Sequence, residues 1–411
     1  MEPDVVVVGG GAIGATAAYE LARRGARVTL VERGDTLASG CSAGNAGLIS
    51  PSHSSPLATP AALREGARWL LGRPAPLTVR ARPNTLPWLA RFALACRQER
   101  ADRGLRALRE LSSASLALHA ELAALGTSFE RRGILSVYET GPGFEAACHE
   151  VEPAGLAAER LTPEEAVRLE PSLGSGLAGA VFHPQEAQVD PARYAEALGA
   201  AALEAGAELR TSVEVRALRR QAAGVAVETS DGELRPQSVV LAAGAWSSRL
   251  ARGLGVSLPV TGGKGYHVDL SASAGDPRVP ILIPERRSAL TPLDGRLRLT
   301  GTLEICGLDL TVRERRVEAV REAAASVLGA RRAEDGTVWA GLRPCLPDGL
   351  PAIGRCDRLP ALVVATGHAM KGVALAPVTA RLVAELVAGE APSHDLTPFS
   401  PDRFRQLRLR R

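Results

Sequence analysis

Residues 4–8, Asp-Val-Val-Val-Val, lead directly into Gly9, Gly11 and Gly14, and this junction constrains the fold more than any other stretch of the chain. Four β-branched residues without polar alternation predict a strand buried on both faces, as in a parallel sheet. The GxGxxG spacing follows at once. From Ala12 to Arg24 apolar residues recur at helical spacing (Ile13, Ala17, Ala18, Leu21), and Gly25 closes the helix. A second apolar strand, Arg27 to Val31, ends in Glu32, 18 residues after Gly14, close to the offset of about 20 at which an acidic side chain meets a ribose. Together these elements predict a βαβ dinucleotide-binding unit. Gly9 permits the tight turn, Gly11 lets a pyrophosphate approach the backbone, and Gly14 allows helix to pack closely on strand. The helix N-terminus, with Ala12 and Ile13 in its first turn, then faces the phosphates. Glu32 accepts from ribose hydroxyls and repels a 2′-phosphate, which disfavours NADP.

A chain of 411 residues exceeds what one core usually fills, so two domains, interleaved in sequence, are expected. Apolar residues at 45% and charged residues at 23% are ordinary globular values. The net charge of +4 is small and the basic residues are scattered, which excludes a nucleic-acid reader. The one basic run, Arg403, Arg405, Arg408, Arg410 and Arg411, reads as a solvated tail, with phospholipid contact as the alternative. Cys41, Cys96, Cys148, Cys306, Cys345 and Cys356 lie far apart with no CxxC pair, so reduced thiols and no metal site are expected. Val5 to Val8 is too short for an export signal, and no run approaches the ~20 apolar residues of a membrane span, so a cytoplasmic protein is expected.

Such a dinucleotide unit serves FAD and NAD alike, and the segment after Glu32-Arg33 separates them. It is a run of small residues, Ser39-Gly40-Cys41-Ser42-Ala43-Gly44-Asn45-Ala46-Gly47-Leu48-Ile49-Ser50-Pro51, where an ordinary Rossmann enzyme begins its next helix. Backbone amides in such a run can approach a flat ring system. Farther along, Asp190 to Glu204 has helical spacing, followed by Gly206 and a strand over Glu208 to Leu218. Val239 to Ala243 and Leu362 to Ala365 are buried strands, each running into a glycine turn. Arg278 to Leu310 alternates like an antiparallel sheet, and Trp88 to Arg106 and Leu108 to Leu125 read as two helices.

The small-residue loop, the following Pro56-Leu57-Ala58-Thr59-Pro60, and two C-terminal motifs carry a resemblance that spans nearly the whole chain. The motifs are Gly341-Leu342-Arg343-Pro344-Cys345-Leu346-Pro347-Asp348-Gly349-Leu350-Pro351-Ala352-Ile353-Gly354 and Ala365-Thr366-Gly367-His368-Ala369-Met370-Lys371-Gly372-Val373. In these the chain resembles the D-amino-acid oxidase-type FAD-dependent oxidoreductases, and among them the bacterial D-amino-acid dehydrogenases that take D-proline or D-hydroxyproline. The resemblance implies an α/β fold: a Rossmann-type FAD-binding domain (1–60, 186–264, 335–411) interleaved with a smaller α+β substrate domain (61–185, 265–334) whose sheet is mostly antiparallel. It implies that Cys41, Ser42, Asn45, Ala46, Gly47 and Leu48 lie along the cofactor, with Arg33 beside Glu32 and the Val215 backbone at the adenine. Ala243, Gly244 and Trp246 form a second turn against the dinucleotide, and Gly341, Gly367 and His368 lie near the flavin. Lys371, Gly372 and Val373 open the C-terminal helix towards the flavin's pyrimidine end. In sarcosine-oxidase relatives an anchoring cysteine sits nearer Gly341 than Cys345 does, so non-covalent FAD is expected.

Oxidising an amino acid at Cα requires a hydride acceptor, a cation for the carboxylate and a neutral amine. Arg343 matches the family's carboxylate-binding arginine, and its planar fork suits a bidentate contact. Tyr266, Lys264 and His267 are the further catalytic candidates. By strand alternation Tyr266 and Lys264 share one face and His267 the other, so at most one of these sets lines the pocket. His53 is left without a role. The expected partners are a small D-amino acid and an electron carrier such as a quinone. The alternatives are a glycine- or sarcosine-type oxidase that uses oxygen, and the flavin-binding subunit of a hetero-oligomer. Leu86 to Leu94, with Arg91 and Arg97, offers an apolar surface that either packs internally or touches a membrane face.

Overall fold

The computed structural model describes residues 2–70, 77–79, 85–151, 157–222, 224–328 and 336–407. Its organising element is a six-stranded sheet in the order Ala352–Cys356, Leu359–Thr366, Ser238–Leu241, Val5–Val8, Val28–Val31, Glu208–Arg210. The last five strands are mutually parallel, and the first runs antiparallel at the edge. The valine run alternates between two cores. Val5 and Val7 pack with the helices Ala12–Arg23, Pro191–Glu204 and Ala376–Ala388 on one face. Val6 and Val8 pack on the other face with the antiparallel meander Val215–Gln221, Gly224–Thr229, Gly232–Leu234 and the helix Ser247–Gly253. Burial on both faces is the reason the run carries no polar residue.

A nine-stranded sheet, antiparallel but for two pairings, forms the second layer. It runs from the edge strand Thr337–Cys345 through Thr261–Ser271, Arg296–Ile305, Ser288–Leu293 and Ile281–Ile283 to Ile134–Tyr138 and beyond. The helix Glu314–Ala325 seals its back through Val317, Val320 and Ala324. The architecture is therefore the expected α/β nucleotide layer joined to a mostly antiparallel sheet.

Several sequence expectations are corrected. Glu208 to Leu218 is two strands, Glu208–Arg210 and Val215–Gln221, because Ser212 adopts φ +56° and the Ser212 and Val213 N–H groups donate to the Gly34 and Glu32 carbonyls. The helices divide at Cys96 and Arg97, giving Leu86–Ala95 and Gln98–Glu121 with a 3-10 turn Leu122–Leu125. The C-terminal helix opens at Ala376, and Lys371 closes a separate 3-10 turn, Ala369–Lys371. Arg403 and Arg405 do not belong to a solvated tail. Arg403 holds Asp348 with two nitrogens, at 2.7 and 3.2 Å, and donates to the Leu350 carbonyl, while Arg405 pairs with Asp357 and Asp402. Arg408, Arg410 and Arg411 lie outside the described residues. Helix Leu86–Ala95 turns Trp88 and Phe92 inward, stacked at 5.3 Å, and leaves Leu86 and Leu94 outside. Among the described residues no helix is long and apolar enough to cross a membrane.

Candidate active site

The first strand ends at Gly9, whose φ of +105° suits glycine and whose missing Cβ would lie 2.7 Å from the Ala242 carbonyl oxygen. A Cβ on Gly14 would sit 1.8 Å from the Gly9 carbonyl oxygen, so only glycine lets the helix descend on the strand. The helix begins at Gly11 without a side-chain cap. Gly11, Ala12 and Ile13 thus present an N-terminus to a groove, and the Ala12 N–H donates to Ser42 Oγ at 2.9 Å. Glu32 is fixed in the groove wall by two backbone donors, Gly10 N–H at 2.6 Å and Gly34 N–H at 2.7 Å. Arg33 lies over the Trp246 ring, 3.6 Å from its centroid, with Val215, Ala243 and Gly244 lining the groove as well.

Cys41 and Asn45 line both this groove and a second cavity of about 300 Å³, so the two spaces meet at the small-residue loop. Asn45 is the loop's pivot: its Nδ2 donates to the Met370 carbonyl at 3.0 Å and its Oδ1 accepts from Gly47 N–H at 2.8 Å. Gly47, at φ +77°, turns where a Cβ would lie 2.1 Å from the Val189 carbonyl oxygen. From the opposite sheet, Arg298 grips Asp269 with two nitrogens at 2.8 Å and donates to the Ala43 and Asn45 carbonyls. His368, Gly372 and Val373 line the groove. The His368 ring is bonded to Thr379 Oγ1 at 3.1 Å, and burial pushes its pKa down to about 3, so it is neutral. Gly367 turns at φ +82° behind them, its Cβ position filled by Leu346.

Ala46, Leu48, Gly341, Arg343 and Lys371 line the second cavity. Arg343 leans over Gly265, where a Cβ would meet Nη1 at 2.1 Å, and donates to the Thr302 carbonyl at 2.8 Å. Thr302 and Leu303 form a bulge opposite Gly265, and Thr302 takes φ +58°, a rare conformation for a β-branched residue that costs about 1–3 kcal/mol. Lys371 Nζ donates to the His53 carbonyl at 2.9 Å, and burial lowers its pKa to about 8. His53 also lines the cavity, with Nδ1 bonded to Ser52 Oγ and Nε2 to Ser136 Oγ, and burial pushes its pKa down to about 3.

Lys264 and Tyr266 line neither space. They point to the other side of their strand, where Tyr266 donates to Glu304 at 3.2 Å and Lys264, fully buried, pairs with Glu304 at 3.4 Å. His267 lies on the cavity side but behind Trp339, against which its ring stacks at 5.0 Å. Cys345 is buried away from the groove, and burial raises its pKa to about 12. Residues that local patterns did not mark are Trp339, Met370 and Arg287 in the cavity and Arg216 and Arg249 in the groove. The available signal was glycine in unusual places. Gly44 and Gly341 each leave the space the Trp339 ring fills, with Cβ positions 1.9 Å from it, as Gly265 does for Arg343.

A glycine cradle, a helix N-terminus and a fixed carboxylate suit a dinucleotide, and the adjoining cavity leaves room for a small substrate beside it. Known proteins identify the cofactor. The family described as FAD dependent oxidoreductase matches residues 4–386, and the chain belongs to that family; FAD is its cofactor. The chain is 35% identical to a D-amino acid dehydrogenase of Paramagnetospirillum magneticum, over 97% of this chain and 98% of the relative. It is 33% identical to a D-amino-acid oxidase of Bradyrhizobium diazoefficiens over 97% and 98%. Among solved structures it resembles glycine oxidase from Geobacillus kaustophilus, with a TM-score of 0.81, 29% identity and coverage of 98% and 99%.

Proposed function

We propose that the protein dehydrogenates a small D-amino acid at Cα and passes the electrons to a carrier such as a quinone. The observation that carries this is Arg343, which lines the cavity adjoining the FAD groove. Bound FAD supplies the hydride acceptor. Arg343 fixes the substrate carboxylate, with Thr302 holding its guanidinium in register. Lys371 adds a second cation. The field of both favours loss of the substrate's ammonium proton to solvent, leaving the neutral amine that oxidation requires. Loss of hydride from Cα then gives an imino acid, which water hydrolyses to a 2-oxo acid unless the imine is cyclic. D-Proline and D-hydroxyproline are small enough to enter this cavity.

The nucleotide part comprises 1–60, 186–264 and 335–411 in this proposal, and the substrate part 61–185 and 265–334. The two parts share the nine-stranded sheet, since Thr261–Ser271 and Thr337–Cys345 pair within it. FAD is held non-covalently, supported by the position of Cys345 outside the groove. The likeness to glycine oxidase favours a second reading in which oxygen takes the electrons. Anaerobic flavin bleaching by a panel of D- and L-amino acids tests the reaction, and dye reduction against peroxide release tests the acceptor. Turnover by the purified chain alone rules out a purely structural subunit role. Membrane contact rests on exposed Leu86 and Leu94, and vesicle co-sedimentation at low salt tests it.

A further inference from the structure

We infer that the substrate carries a second carboxylate, received by Arg287, so that the preferred substrates are acidic D-amino acids of the aspartate and glutamate class. The inference rests on the proposed amino-acid oxidation at this site and refines it. Arg287, Arg343 and Lys371 line the cavity, and none of the described residues lining it is acidic. An α-carboxylate occupies Arg343 with help from Lys371. A neutral amino acid leaves Arg287 without a counterpart in the substrate, whereas an acidic one enters with net negative charge and is drawn in by the same field.

The strand order places the two arginines at opposite sides of the cavity sheet. Arg287 immediately precedes the strand Ser288–Leu293, which is separated from Thr337–Cys345, the strand of Arg343, by Arg296–Ile305 and Thr261–Ser271. Three strand spacings put the two backbones roughly 14 Å apart laterally. Arg343 reaches part of that distance, because its guanidinium lies over Gly265 of the neighbouring strand and donates to Thr302 of the next. The two arginines are thus on elements that can take the two ends of one small diacid. Leu282, Pro284 and Met370 provide apolar lining for the connecting methylenes.

Arg287 already holds a carboxylate, that of Glu65 on the helix Pro60–Leu70. The two side chains remain 35% and 25% exposed, so the pair contributes little and a substrate carboxylate exchanges with Glu65 at low cost. Arg287 takes φ +51° at the end of the short turn Pro284–Arg286, while Arg286 beside it is committed to Glu139 through two nitrogens. Both arginines of the turn therefore hold a carboxylate, and of the two only Arg287 also lines the cavity.

The test compares D-glutamate with D-glutamine, which match in length and differ in charge, by anaerobic reduction of the FAD-loaded protein. Calorimetry of glutarate against butyrate adds a readout independent of turnover. Wild type is expected to favour D-glutamate at least tenfold in kcat/KM and glutarate at least tenfold in Kd. Arg287→Gln should cost D-glutamate at least tenfold more in kcat/KM than D-glutamine and erase the glutarate preference, and Arg287→Lys should keep part of both preferences. Glu65→Gln, which removes the competing carboxylate without touching the cavity lining, should tighten glutarate. Equal use of the two amino acids, or equal losses for both in Arg287→Gln, overturns the inference. If D-alanine and D-proline bleach the flavin and D-glutamate does not, only this inference fails. If no D-amino acid bleaches it, the proposed function falls and this inference with it.

Discussion

In the proposed function, Lys371 is where pH acts on substrate binding. Burial lowers its pKa from the ordinary 10.5 to about 8, so its ammonium is charged below that pH and neutral above it. A carboxylate ligand that lacks an amine, such as propionate, isolates this effect from the titration of the substrate. Its Kd is expected to rise as pH passes through about 8 in wild type and to stay flat in Lys371→Met. A flat wild-type profile would mean that Lys371 does not face the carboxylate. The roles of single residues were unevenly legible in the sequence. Arg343 stood out because a motif carried it, and the structure places it in the cavity lining. Lys264 drew attention as one of only two lysines in the chain. Its burial against Glu304 on the far side of the strand reflects a pairing across the sheet that composition does not encode.

Elements were legible where a local pattern fixed them. The valine strand, the glycine turn and the helix Ala12–Arg23 follow from periodicity within some twenty residues. The helix Pro191–Glu204 likewise begins where Asp190 accepts from Ala192 and Arg193 N–H. Breaks without glycine or proline were not legible: the left-handed Ser212 splits one apparent strand, and Cys96 ends a helix in mid-pattern. The C-terminal helix was expected to open at Lys371, whereas it begins at Ala376 with Pro377 in its first turn, where proline is favoured. The cofactor loop is held by an element remote in sequence, through Arg298, which is 4% exposed. Removing its charge takes a two-nitrogen contact from Asp269, which keeps only Arg296 at 3.2 Å and His267 at 3.8 Å, and frees the Ala43 and Asn45 carbonyls. Arg298→Met is expected to destabilise the protein by about 3 kcal/mol and to lower FAD retention on gel filtration. Unchanged retention would show that the loop is positioned by Asn45 and its neighbours alone.

At the scale of the whole molecule, the two sheets enclose buried ionisable groups whose pH effects on stability oppose one another. Glu186, 4% exposed, accepts from Ser52 N–H, and burial raises its pKa from 4.5 to about 7. The folded state therefore binds a proton more tightly than the unfolded chain. The stability this contributes is fully present below about 4.5 and is lost as pH rises through about 7. His53 and His368, pushed down to about 3, act in the opposite sense: their contribution is present above 6.5 and is lost as pH falls. Comparing wild type with Glu186→Gln isolates the carboxyl. Denaturant unfolding is expected to match at pH 5 and to favour the variant at pH 8 by on the order of a few kcal/mol. Equal stabilities at both values would show that Glu186 titrates normally.

The arrangement of groove, shared loop and cavity supports the proposed chemical event, hydride loss from Cα of an amino acid held by Arg343. The most direct measurement is anaerobic titration of the FAD-loaded protein with paired D- and L-enantiomers, followed by the visible flavin absorbance, in wild type and Arg343→Lys. The lysine keeps the charge and loses the fork, so FAD content should be unchanged while kcat/KM falls roughly 10²-fold. The expected result is full bleaching by D-enantiomers, none by their L-partners, and a large loss in the variant. Bleaching by L-enantiomers, bleaching by neither, or wild-type kinetics in Arg343→Lys would contradict it.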